Sequence, residues 1–218
     1  IHDNSTWENY LNHERIIWIH VHAQRRFWYL KRFLTPHIIR AYDFIWILDD
    51  DVELLFDPLH YQCVIRQLNI SMSSPGRLKG VASHPITLIN NDFIKKIGRW
   101  TDFVETGPIA VVSSAAWDCL WHYLSPIVGT GWGFDLIWCR ILAQKCAFNT
   151  TLEQYCAILD VFHVNHLSEY ISSTAIGARE KEAYGEFYNQ FQHTMAKSID
   201  RFLLGQYTAV IETIEEVI

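Results

Sequence analysis

The sequence predicts an α/β domain, with a mixed central sheet and helices on both faces. Three observations predict it. Half of the 218 residues are hydrophobic and 14% are aromatic, which supplies a sizeable core and excludes a disordered chain. The stretch from Tyr42 to Asp57, YDFIWILDDDVELLFD, runs a continuous aromatic and β-branched segment into three consecutive carboxylates. A continuous run of that kind marks a strand covered on both faces. Strand-like and helix-like patterns then alternate along most of the chain, the arrangement that builds layered α/β domains.

Residues 1–15 are polar and aromatic and lead into IIWIHV (Ile16–Val21), read as a core strand. In AQRRFWYLKRFL, Phe27, Leu30 and Leu34 recur at helical spacing. Thr35 suits the N-cap and Pro36 the first position of a second short helix through Tyr42. The strand with the acidic cluster follows, and this β–α–β order predicts a right-handed crossover and a parallel strand pair. Asp57-Pro58 opens a helix to about Asn69, with Leu59, Cys63 and Leu68 facing inward.

SMSSPGR reads as a loop from its Ser, Pro and Gly content. Strand-like pieces follow at Gly80–Ser83 and Ile86–Ile89, and Phe103–Val112 reads as a strand broken at Gly107-Pro108. Ser113 or Ser114 caps a helix whose apolar face carries Trp117, Leu120, Trp121 and Leu124. GTGWGFD is a glycine-rich bend into a helix over Leu136–Lys145, and CAILDVFHVNH is a last sheet strand. Tyr184, Phe187, Phe191, Met195, Ile199 and Phe202 mark one helical face, with a short helix expected to Ile218. The division expected is a domain over 1–175 and a helical C-terminal extension over 176–218 packed on it.

Charge and composition narrow the partners. The net charge is −6 and no basic run exceeds pairs such as Arg25-Arg26, so nucleic acid is not expected. No apolar stretch reaches the roughly 18 residues of a membrane span. The five cysteines form no CxxC and are too scattered for a zinc site. Their odd number leaves at least one thiol unpaired; a disulfide is possible, though a fold this large does not need one. Three Asn-x-Ser/Thr sequons, at Asn4, Asn69 and Asn149, permit glycosylation in a secretory lumen. They point to the Golgi or secretory lumen if the source is eukaryotic, and otherwise to the cytoplasm. The chain begins at Ile1 rather than Met and is read as a fragment.

The chemistry gathers in three places. Asp49, Asp50 and Asp51 close a buried strand at the sheet edge where open α/β sheets bind ligands. Crowded carboxylates repel unless a cation offsets them, and oxygen ligands suit Mg²⁺ or Mn²⁺. A metal held there is placed to bind a diphosphate; the plainer alternative is a solvated acidic turn. In the Gly131–Asp135 segment, GWGFD, the glycines let backbone approach a ligand. Asp135 at a helix start is either a general base or an acceptor ligand, or a simple helix cap. His163 and His166 follow the strand AILDVF, where an imidazole can complete a coordination shell begun by Asp51 or be merely hydrogen-bonded. Among the cations Arg25, Arg26, Lys31 and Arg32, Arg25 is singled out for a diphosphate, the rest reading as surface charge. Of the tryptophans, Trp100, Trp117, Trp121 and Trp138 read as core, and only Trp132 is assigned to the site.

An apolar strand ending in D-x-D, a glycine-rich segment with an acid, and a later His resemble the order of parts in glycosyltransferases of the GT-A fold. RRFWYLKRFLTPHIIRAYDFIWILDDDVEL, FVETGPIAVVSSAAWDCLWHYL, GTGWGFDLIWCRIL and AILDVFHVNH together resemble the plant and microbial domain-of-unknown-function seven-hundred-seven family, over about residues 15 to 170. The resemblance implies a GT-A-like, Rossmann-like fold and a site. Asp49 and Asp51 fall on the D-x-D positions and His166 on the terminal metal ligand, together holding Mn²⁺ or Mg²⁺. Asp49, Asp50 and Arg25 would face a nucleotide-diphosphate sugar donor. Asp135 falls on the acceptor-side carboxylate, and Glu105, Trp132 and Gly133 line the acceptor side. For Glu105 an equal alternative is a strand-end acid paired with a base.

Two departures stand out. The strands expected to hold the nucleoside are missing before Ile1, and Thr106-Gly107-Pro108 replaces the apolar residues expected after FVE. The function expected is a metal-dependent glycosyltransferase, inverting or retaining, acting on a hydroxyl of a glycan or glycoconjugate. The alternative is a non-catalytic carbohydrate- or nucleotide-binding module; a metal-dependent phosphoesterase is less supported, since one His and one acidic cluster make a thin two-metal ligand set.

Overall fold

The computed structural model describes residues 14–21, 25–79, 84–89, 96–124, 131, 134–146, 156–167 and 213–215. Its elements in order are helix α1 (Arg26–Phe33), the one-turn helix α2 (Pro36–Ile39), strands β1 (Phe44–Leu48) and β2 (Val52–Leu54), and helix α3 (Pro58–Gln67). Strand β3 (Met72–Lys79), a 3₁₀ turn at Pro85–Thr87, and strands β4 (Lys96–Thr101) and β5 (Ile109–Ser113) follow. Helix α4 (Ser114–Trp121), a 3₁₀ turn at Phe134–Leu136, helix α5 (Trp138–Lys145) and strands β6 (Cys156–His166) and β7 (Thr213–Glu215) complete it. The seven strands form one mixed sheet in the order β1-β5-β3-β6-β4-β7, with β2 paired to β6 beside that path.

The long strand β6 holds the sheet together. Its first residues, Cys156 to Ile158, bond antiparallel to β4, its last, Val164 to His166, bond antiparallel to β2, and β3 runs parallel along it. Alternation sends successive side chains to opposite faces. Ala110, Val112 and Cys156 enter one core with Phe27, Ile39, Trp117, Leu120, Trp138 and Leu142, whereas Val111, Ala157 and Leu159 enter a second with Tyr61, Ile65 and Trp100. Helices α1, α4 and α5 therefore cover one face and α3 the other, as expected for a mixed sheet flanked by helices. β1 splits the same way, with Ile45 and Ile47 in the first core and Phe44 and Trp46 packed on the second. Buried tryptophans satisfy their one donor on backbone: Trp117 Nε1 donates to Leu34 O at 2.8 Å and Trp138 Nε1 to Val104 O at 2.8 Å.

The caps follow the side-chain chemistry. Asp57 accepts from Leu59 N at 2.9 Å ahead of Pro58, and Ser113 accepts from Ala116 N at 3.2 Å. Thr35 caps α2 through its carbonyl, which accepts from Ile38 N and Ile39 N; its hydroxyl takes no part. The α4 face is as expected, with Trp117, Leu120 and Leu124 buried and Trp121 packed against the core.

Several expectations are corrected. Residues 16–21 are not a strand and Ile17 is exposed, so the first β–α–β unit does not exist; β1 instead bonds antiparallel to β5, and the parallel pair is β3 with β6. SMSSPGR is no loop: from Met72 onward it is the buried strand β3. Small side chains let it lie between two strands and under two cores, and the Pro75/Gly76 step is where its register against β6 shifts. Leu59 and Cys63 point to solvent, and α3 buries Tyr61 and Ile65 instead. Residues 86–89 form a 3₁₀ turn and a single bridge, Arg77 to Leu88, rather than a strand. Strand β4, which the sequence did not announce, lies between β6 and β7.

Of the C-terminal extension, only Thr213–Glu215 lies within the described residues, and these are a strand on β4 rather than helix. The 80–83 strand and the helical face over 178–204 lie outside the described residues. Two disulfides join α4, α5 and β6: Cys119–Cys146 and Cys139–Cys156. Cys63 is free and exposed.

Candidate metal centre

The acidic triplet leaves β1 and enters β2, and the sheet sets where each carboxylate goes. Asp49 follows Leu48, and its N–H donates to Pro108 O at 2.9 Å, which ties it to the chain entering β5. Val52 pairs with His166 across the β2–β6 ladder, and Leu167 N donates to Asp51 O at 2.9 Å. This register brings Asp51 and His166 side by side. His166 Nε2 lies 3.2 Å from Asp51 Oδ2, and one ligand atom from each of Asp49, Asp51 and His166 falls within 4.8 Å of the others. The site sits on the strand ends, with Asp51 and Asp49 about one-third exposed.

Its polar groups are incompletely used. Asp51 Oδ1 and His166 Nδ1 are buried and have no hydrogen-bond partner among the described residues. Leaving buried polar atoms unpaired costs free energy, so such atoms invite a ligand. Two carboxylates and an imidazole form a donor set that suits a hard divalent cation such as Mn²⁺ or Mg²⁺, and the three residues fit the ion expected there. Burial raises the Asp49 carboxyl above the ordinary carboxylate range, with the Asp51 charge adding to the rise and Arg26 opposing it.

Asp49 is held by a guanidinium. Arg26, at the first position of α1, donates through Nη1 to Asp49 Oδ1. Gly107 packs on this pair: a Cβ at position 107 would lie 2.8 Å from Arg26 Nη2 and 2.9 Å from Asp49 Oδ2. A side chain at this position would require the Arg26 and Asp49 side-chain ends to shift. On its other side Gly107 lines a small cavity with Ser74, Arg77, Thr87, Glu105 and Pro108. There Arg77 Nη2 donates to Glu105 Oε2 at 2.7 Å, with Arg77 buried.

The other residues singled out in the sequence divide. Asp50 is exposed and stands outside the three-residue cluster. Asp135 lies on the 3₁₀ turn entering α5, is buried, and likewise stands outside that cluster. Glu105 is the paired acid of the cavity beside the cluster. Arg25 occupies the N-cap of α1, one residue from the arginine that reaches Asp49. His163 turns its Nε2 to Asp160 O at 2.9 Å, so only the second histidine of the pair joins the cluster. Trp132 and Gly133 lie outside the described residues. Gly131, in the same bend, has φ +70°, and a Cβ there would overlap the Phe27 ring.

Arg26 and Gly107 are the residues that sequence reasoning missed as partners of Asp49. A pair of adjacent arginines gives no sign of which one faces the sheet, and a glycine whose role is close approach leaves no side chain to read.

Fold and site thus define a mixed α/β protein carrying a carboxylate–imidazole cluster on its sheet edge. The chain belongs to the family described as Protein of unknown function (DUF707), which it matches over residues 2–202. No curated protein matches it, and no solved structure does.

Proposed function

We propose that this chain is a metal-dependent glycosyltransferase of GT-A-like architecture that moves a sugar from a nucleotide-diphosphate donor to a hydroxyl of a glycan or glycoconjugate. The observation that carries the reading is the convergence of the neighbouring carboxylates Asp49 and Asp51 with His166, which is distant in sequence, within 4.8 Å of one another at the strand ends. A D-x-D pair with a distant imidazole makes a ligand set that leaves coordination positions for a diphosphate. When bound, Mn²⁺ or Mg²⁺ would supply Lewis-acid stabilisation of the departing diphosphate.

The remaining roles belong to the chain's own side chains. Asp51 and His166 would hold the cation, with Asp49, which is paired with Arg26, as a third ligand. Asp135 is the carboxylate assigned to the acceptor: in an inverting reaction it takes the hydroxyl proton as that oxygen attacks. The Arg77–Glu105 pair, one glycine away from Asp49, would border the acceptor side. A non-catalytic carbohydrate- or nucleotide-binding module on the same fold is the second reading. It is favoured by the burial of Asp135 and by its separation from the cluster.

Calorimetric titration of nucleoside diphosphates and nucleotide sugars, with and without Mn²⁺, tests the donor site. Metal-dependent binding that disappears in Asp51→Ala is expected, and binding indifferent to both metal and Asp51 would sink the reading. Turnover separates the two alternatives. Asp135→Asn should abolish transfer while donor binding persists, and full activity in that variant removes Asp135 from the mechanism.

A further inference from the structure

The four cysteines that pair, and one exposed turn, place this chain in a particular chemical environment. Cys139 and Cys156 are buried and bonded to each other, and Cys146 is buried and bonded to Cys119. Bridges of this kind form and persist in oxidising compartments and are rare where glutathione keeps thiols reduced. In a eukaryotic cell such a lumen is also where asparagines within Asn-x-Ser/Thr become glycosylated.

Asn69-Ile70-Ser71 is the sequon that the described residues display. Asn69 follows α3 with φ 53°, and its N–H donates to Arg66 O at 3.2 Å while Ile70 N donates to Ile65 O at 2.9 Å. These two bonds close the helix as a Schellman motif, with Asn69 in the left-handed position and Ile70 buried behind it. Asn69 therefore stands exposed at the tip of the turn. The turn explains an asparagine at position 69, since Asn and Gly tolerate that conformation. It does not explain a hydroxyl at Ser71, since the turn closes through backbone bonds and Ser71 is tied to the sheet by its carbonyl, which accepts from Ser113 N at 2.9 Å.

We infer that Asn69 is an N-glycosylation site of this protein, modified in the same oxidising lumen that forms Cys119–Cys146 and Cys139–Cys156. The transfer forms a bond from Asn69 Nδ2 to C1 of an oligosaccharide and breaks the C1–O bond to a polyprenyl diphosphate. The diphosphate leaves with the electron pair and Nδ2 gives up one proton. Ser71 supplies the hydroxyl that the cell's oligosaccharyltransferase requires, and the outward tip of the α3 turn leaves room for the glycan once the chain has folded. This inference stands apart from the transferase reading, because neither the turn nor the disulfides involve the metal cluster.

The test uses the full chain, tagged and purified from its own cells. Peptide N-glycosidase digestion in heavy-oxygen water should convert Asn69 to labelled Asp. Alkylation before reduction should leave Cys63 as the modified thiol among the five cysteines. Asn69→Gly keeps the left-handed turn and should lose one glycan in mass. Ser71→Ala should lose the same glycan although Asn69 is intact, and Ser71→Thr should retain it. An unlabelled Asn69, a glycan that survives Ser71→Ala, or the four paired cysteines recovered as thiols would overturn the inference.

Discussion

Two constellations of charge sit on the same strand and have opposite characters. Near the middle of β6, Asp160 is buried opposite Arg99, whose Nε lies 3.3 Å from Asp160 Oδ2. That guanidinium also donates to Ile86 O at 2.7 Å and Leu88 O at 2.6 Å, fastening the 3₁₀ turn to the sheet. At the end of β6, His166 meets Asp51 and Asp49 in a half-open cluster of two carboxylates and an imidazole. The first group has balanced charge and multiple backbone acceptors; the second concentrates acid with one arginine at its margin. The difference separates an ion pair that maintains structure from a cluster that awaits a ligand.

Breaking the first should cost the most stability. Arg99→Ala removes a buried guanidinium from Asp160 and from two backbone carbonyls, a change worth about 3–5 kcal/mol, measurable by denaturant unfolding. Breaking the second should leave stability nearly unchanged and show in binding. Asp51→Ala should weaken Mn²⁺ binding by roughly 100-fold or more, beyond the loss typical of an outer-sphere partner, in calorimetry on folded protein. A comparable loss of stability in both variants would erase the distinction.

Arg26 tests the margin of the cluster. It competes with a cation for Asp49, so Arg26→Gln should tighten Mn²⁺ binding by about 3- to 10-fold, the scale of one partly exposed charge interaction. Weaker Mn²⁺ binding would instead make Arg26 a support that positions Asp49. The smallest expected effect concerns pH. Burial favours the neutral form of Asp49, so its contribution to the stability of the metal-free protein is present below the ordinary carboxylate range and is lost as pH rises through its raised value. Mn²⁺ has the opposite preference and its affinity should fall as pH drops through that same range. Asp49→Asn should flatten the pH dependence of stability and weaken the cation. An unaltered stability profile would remove Asp49 as its origin.

The same contrast explains what could be read from the sequence. β1, β6, α4 and the caps at Asp57 and Ser113 were legible because periodicity and capping chemistry are local. Asp49 and Asp51 stood out as carboxylates at a strand end, whereas His166 was chosen over His163 only through the family resemblance, because an imidazole after a strand does not say what it faces. β3 was not, because MSSPGR has loop composition and becomes a strand only through the neighbours on either side of it. The inward face of α3 was misjudged because Leu59 and Cys63 are apolar enough to suggest a core that Tyr61 and Ile65 supply. Arg26 was passed over for Arg25 because one residue along a helix turns a side chain by roughly 100°, and the sheet's direction is a tertiary fact.

Gly107 carries a consequence for anyone mapping tolerance to change across this protein. A substitution there would meet Arg26 and Asp49 together, at a residue that also lines the cavity holding Arg77 and Glu105. Gly107→Ala should therefore displace the Arg26–Asp49 pair rather than the backbone, and should show in Mn²⁺ binding more than in stability. Searches for active residues look for groups that give or take something. This one contributes by leaving room for the Arg26–Asp49 pair.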